Sequence, residues 1–183
     1  MVAAVHDSFA VLALSVVLCA AAWSDWRVRK IPNVLIVVGT VLAFAAAGVA
    51  RGGDGLLDCA AGLGVGFALM LPGFLLGFTG AGDVKLLAVV GAFLGPTTVL
   101  QVFAATVLVG ATLVVALRFF QSRDSSEPSS FRRYAYMLQT FWVTRKFVYV
   151  KPPASSVLSL RLPQAPIMTA AVAIVLLLSL TGS

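Results

Sequence analysis

The sequence predicts an all-α membrane protein of six transmembrane helices, and three observations carry that prediction. Of 183 residues, 60% are hydrophobic and 11% charged, with a mean hydropathy of +1.02, well outside the range of soluble domains. The apolar residues fall into six separate runs, and six spans of about 20 residues need only about 120 in all. The basic residues are also unevenly placed, and they collect in two of the segments between those runs. This composition excludes a soluble enzyme, a disordered chain and a disulfide scaffold.

The first run covers residues 8–24, with no Lys or Arg before it, so it reads as a span and not as a secretory signal. The second, 31–50, opens on Pro32, whose missing N–H costs nothing at a helix start. The third, 56–78, is rich in glycine, and Gly62/Gly66 and Gly73/Gly77 both fit the G-x-x-x-G spacing for close helix packing. The fourth, 82–95, is short: about 20–24 Å against a hydrocarbon core of about 30 Å. Gly95-Pro96 closes it, and the fifth run follows over 98–120.

A polar stretch from Gln121 to Ser130 then opens a loop reaching residue 162. Within it, residues 131–150 mix Phe131, Tyr134, Phe141, Trp142 and Phe147 with Arg132, Arg133, Arg145 and Lys146. That mixture suits an amphipathic helix lying in the membrane interface, or a plain basic surface. The last run, 165–180, follows Pro163 and Pro166, and the chain reads as a single transmembrane domain. Six-span threading puts eleven of the thirteen basic residues in the 25–30 and 118–162 segments, on one side. By the positive-inside rule these loops are cytoplasmic and both termini lie outside.

Two cysteines, Cys19 and Cys59, and one histidine, His6, leave no C-x-x-C and no ligand cluster for a catalytic metal. No cofactor and no nucleic-acid partner is expected. Of seven acidic residues, Asp7 precedes the first run, Asp54 and Asp58 fall in a Gly-rich external turn, and Asp124 and Glu127 in the polar loop. Asp25 and Asp83 remain, at the same predicted membrane face. Ionisable residues at the ends of spans either pair locally, here with Arg27, Arg29 or Lys85, or serve function. Lys85 points about 200° around a helix from Asp83, a poor position for pairing. The glycines of Gly80-Ala81-Gly82-Asp83 permit positive φ, and the short fourth run lets this turn sit in a water-filled cavity. Two carboxylates about 4 Å apart repel by about 4 kcal/mol at an effective dielectric of 20. That repulsion is enough to keep one protonated, so that one activates water and the other donates a proton.

The residues that carry this chemistry also carry a resemblance. Asp25-Trp26-Arg27-Val28-Arg29-Lys30-Ile31-Pro32-Asn33 resembles the first aspartate motif of the type IV prepilin peptidases. Gly80-Ala81-Gly82-Asp83-Val84-Lys85-Leu86-Leu87, continuing to Gly95, resembles their G-x-G-D motif. The likeness runs from Ser8 to about Phe120, is nearest the short Flp/tad-type branch, and extends to Leu162-Pro163-Gln164-Ala165-Pro166 before the last helix.

It implies an aspartyl endopeptidase of the bacterial inner membrane. Such an enzyme cuts the leader peptides of prepilins and pseudopilins at the cytoplasmic face, with Asp25 and Asp83 as the catalytic pair. Gly80 and Gly82 would shape the turn beneath Asp83, with Pro32, Asn33 and Lys85 as supporting motif positions. The larger relatives that also N-methylate pilins carry paired C-x-x-C motifs that are absent here, which argues against methylation. Two other classes fit a polytopic chain: a non-enzymatic membrane scaffold or assembly factor, and a small transporter. Transporter sites usually lie at a repeat interface near the bilayer midplane, whereas these acids lie at one face and no repeat is visible.

Overall fold

The computed structural model describes residues 8–76, 79–121 and 164–181, all but a few of them helical. Four helices account for them: α1 (Ser8–Val28), α2 (Asn33–Leu75), α3 (Ala81–Gln121) and α4 (Gln164–Thr181). The chain divides into two units. One comprises residues 1–110 and 163–183, the other 111–162. Everything below concerns the first; of the second, only the end of α3 is described. The interfacial helix expected over 131–150 lies outside the described residues.

The second and third apolar runs, expected as separate elements, are the two arms of α2. They meet at Gly52, whose φ of 59° and ψ of −136° break the helix. Only glycine adopts that conformation without a steric penalty, and the bend is sharp. A Cβ on Gly55 would overlap the Ala47 carbonyl oxygen, although eight residues of straight helix would separate the two by about 12 Å. Arg51 and Asp58 form an ion pair of 2.8 Å across the same bend. Asp54 and Asp58 are therefore helical, and the expected Gly-rich turn is condensed into one residue.

The fourth and fifth runs are likewise the arms of α3, broken at Gly95 with φ 81° and ψ 172°. Pro96 follows, and its ring disfavours αR geometry in the residue before it. Both arm junctions are thus set by glycine, one with proline's help.

The first arm of α3 is the core. Val84, Leu86 to Val90 and Ala92 to Leu94 are all buried, the pattern of a helix covered on every side. Around it sit Leu14, Val17, Leu18 and Ala21 of α1, both arms of α2, and Ala165, Met168, Val172 and Val175 of α4. Gly62 and Gly91 meet backbone to backbone: a Cβ on either would overlap the other's carbonyl oxygen. A Cβ on Gly66 would come 3.0 Å from the Ala88 Cα, so the Gly62/Gly66 pair packs as its spacing predicted. Gly73 faces the Thr79 side chain instead.

Phe9, Leu12, Val16, Val34, Val41, Leu57 and Leu108 are exposed on the outer surface. The stretches Phe9–Val28, Asn33–Leu75 and Ala81–Leu113 are long and apolar enough to cross a membrane, while the apolar Gln164–Ser179 is shorter. A large exposed apolar exterior around a packed helical core is what lipid, and not water, accommodates.

Candidate active site

Asp25 lies in the last turn of α1, which runs four residues beyond the first apolar run. Arg29 ends the helix at a φ of 52°, the left-handed cap position usually given to glycine, with its N–H on the Asp25 carbonyl at 2.9 Å. The Ser24 hydroxyl donates to the Lys30 carbonyl at 2.9 Å, folding the connection back. Pro32 then caps α2 in extended geometry, with φ −62° and ψ 133°, and Asn33 is the first helical residue. Only four residues, 29–32, connect α1 to α2, which fixes Asp25 relative to Asn33.

Asp83 lies in the first turn of α3. The Gly80 carbonyl accepts from the Asp83 and Val84 N–H groups at 3.1 and 3.3 Å. In return the Gly80 N–H donates to Asp83 Oδ2 at 3.1 Å, the half of a capping box in which the N3 side chain reaches back to the N-cap N–H. A Cβ on Gly80 would stand 3.0 Å from that same oxygen, so glycine keeps the carboxylate uncrowded. Gly82 was expected to need positive φ. It is instead helical, and its constraint is tertiary: a Cβ there would lie 3.3 Å from the Ile31 Cβ. The turn carrying the first motif thus rests on the turn carrying the second.

A second link joins the motifs. Lys85 Nζ donates to Asn33 Oδ1 at 3.0 Å. Local pairing of the two aspartates, the bland alternative, is not what forms. Among the described residues the one ion pair is Arg51–Asp58. Lys85 is committed to Asn33, and Arg27 stacks on the Trp23 ring at 4.8 Å.

Asp25 is 8% exposed, and its Oδ2 accepts the Ala165 N–H at the start of α4, 3.1 Å away. Asp25 and Asp83, with 57 residues between them, stand at helix ends that meet through Ile31 against Gly82 and Asn33 against Lys85. The α4 contribution was not foreseen. Its one sequence signal is the Pro163/Pro166 bracket, which marks a helix start but does not say what the start faces.

Among the described residues no cluster of three or more His, Cys, Asp or Glu is placed to hold a metal. Cys19 on α1 is exposed, and Cys59 on α2 is buried in the core. The site therefore offers two carboxylates, two backbone N–H donors and a Lys–Asn bridge.

The sequence profile of the type IV leader peptidase family matches residues 12–115, more than half the chain and both aspartate motifs. The chain belongs to the type IV leader peptidase family. No curated protein and no solved structure matches it. As a member of this family the chain is a peptidase and a membrane protein. Gly62, Gly91, Asn33 and Lys85, the residues that join α2 to α3, all lie inside the matched segment.

Proposed function

We propose that this leader peptidase is an aspartyl endopeptidase that cleaves prepilin or pseudopilin leaders at the cytoplasmic face of the bacterial inner membrane. Asp25 and Asp83 are its catalytic pair. The observation that carries this reading is that two acids from distant segments stand on helix ends packed together through Ile31 and Gly82 and through Asn33 and Lys85, and among the described residues neither acid is ion-paired. An ion-paired carboxylate is a poor base, whereas two carboxylates sharing one proton divide the roles of acid and base. The ionised member takes a proton from water, and the water oxygen attacks the scissile carbonyl carbon. The protonated member donates to the substrate, and collapse of the tetrahedral adduct expels the amine with a proton. Water is consumed and both acids are regenerated.

In the accompanying topology the arms of α2 and α3 count as separate spans, giving six with α1 and α4, and both termini lie outside. Eleven of the thirteen basic residues then lie on the inner side, with the two aspartates. The deciding experiment co-expresses a prepilin with wild-type protein, D25N or D83N and reads the pilin mass. Loss of leader removal in both variants at wild-type membrane levels supports the dyad, and processing by either variant refutes it.

A further inference from the structure

The start of α4 does more than close the helical core. Asp25 is nearly buried, and no basic side chain pairs with it among the described residues. What holds its carboxylate is a main-chain donor 140 residues away, the Ala165 N–H. Ala165 itself is fully buried. Pro166, next in the chain, has no N–H, so the first turn of α4 has few free donors and gives one of them to Asp25. α4 is seated on α1 along Ala165, Met168, Val172 and Val175, spaced as one helical face. The Thr169 hydroxyl donates to the Ala165 carbonyl at 2.8 Å and lies 3.5 Å from the Leu18 carbonyl of α1. α4 bears no acidic or basic side chain, and the nearest charged motif residues on α3 are Asp83, held by the Gly80 N–H, and Lys85, held by Asn33.

A carboxylate on a two-torsion side chain has rotamers to choose from. A fixed donor on one oxygen selects a single orientation and leaves the other oxygen open to a water molecule. We propose that the Ala165 N–H is a positioning group of the active site: by binding Asp25 Oδ2 it aims Oδ1 at the water, so the N-terminus of α4 belongs to the catalytic machinery. The inference rests on the aspartyl-peptidase reading above.

The test replaces Ala165 in the full-length protein in membranes. Ala165→Pro removes an N–H that lies in the first turn of α4 and so has no intrahelical partner to lose, and Ala165→Gly keeps it. With rates normalised to folded enzyme, A165P is expected to lower kcat for leader cleavage by about tenfold or more with KM little changed. A165G is expected to restore most of the rate. A helix cap with no catalytic role would change the amount of folded protein but not kcat per folded molecule. Undiminished kcat in A165P, or equal loss in A165G, overturns the proposal. Cleavage by D25N would instead overturn the peptidase dyad.

A second measurement does not depend on how A165P folds. Gln164-Ala165 is the one Gln-Ala pair in the sequence, so ¹³C-Gln/¹⁵N-Ala labelling yields a single amide signal. That amide proton should move upfield in D25N, because a neutral acceptor makes a weaker hydrogen bond than a carboxylate. An unmoved signal overturns the proposal.

Discussion

Lys85 on α3 and Asn33 on α2 are joined by a hydrogen bond of 3.0 Å across 52 residues of chain. It ties the helix start that follows Asp25 to the helix start that holds Asp83. Both ends are short and stiff: four residues connect Val28 to Asn33, and one, Val84, separates Asp83 from Lys85. The bridge therefore links the two helix starts that carry the aspartates without touching either carboxylate. Removing it should reduce activity without abolishing it. K85M and N33A are each expected to lower kcat/KM by about fivefold to thirtyfold, and the double variant by no more than the worse single. Additive losses in that cycle would mean that the two side chains act separately.

The aspartates should behave as a unit. D25N and D83N keep the shape of each side chain but cannot exchange the proton, so each should lose cleavage by about 10³-fold or more, and the double variant should fall no further. Mass spectrometry of the processed pilin, with variant levels matched by blotting, measures this.

Gly82 is required by its neighbour. A Cβ 3.3 Å from the Ile31 Cβ is tight for Ala and a clash for Val. G82V should push the two motif turns apart, and a displacement of about 1 Å is enough to cost about 100-fold in rate. Insertion should survive, because the core contacts of α3 lie deeper. The paired variant G82V/I31A, which opens the space, should recover activity; failure to recover would remove Ile31 as the cause.

The Gly62–Gly91 contact should govern stability. A side chain at either position drives two backbones apart, so G91L should destabilise the fold by about 3 kcal/mol or more, beyond the usual cost of overpacking. The more exposed Gly64, where an added Cβ meets nothing within 4 Å, should accept leucine with little loss. Thermal unfolding in detergent compares the two.

Topology can be read by cysteine labelling in a Cys-free background. Gly53, at the bend of α2, should react with an impermeant thiol reagent added from outside, and Ser125 should not. The reverse pattern would put the aspartates on the wrong face for cytoplasmic leader removal.

Much of this was legible in the sequence because it depends on local chemistry. Hydropathy alone delimits the apolar runs: a membrane demands long stretches without charge, and this chain has few charges to place. Gly95-Pro96 announces one break, and the Gly-rich stretch before the third run announces the other without saying that Gly52 alone makes it. Asp25 and Asp83 stand out because an acid at the end of an apolar helix is costly wherever it is not used.

What the sequence could not supply is which group meets which. Positive φ at Gly82 was the local explanation for that glycine, and the actual one is Ile31 from another helix. Asn33 and Lys85 are a polar residue and a cation until two helix starts stand side by side. Ala165 is a plain apolar residue whose backbone N–H matters only because α4 ends its approach at Asp25. Periodicity and turn signals report how each segment bends and which face it buries. Contacts between segments depend on how whole helices pack, and close backbone approaches such as Gly62 on Gly91 decided that packing.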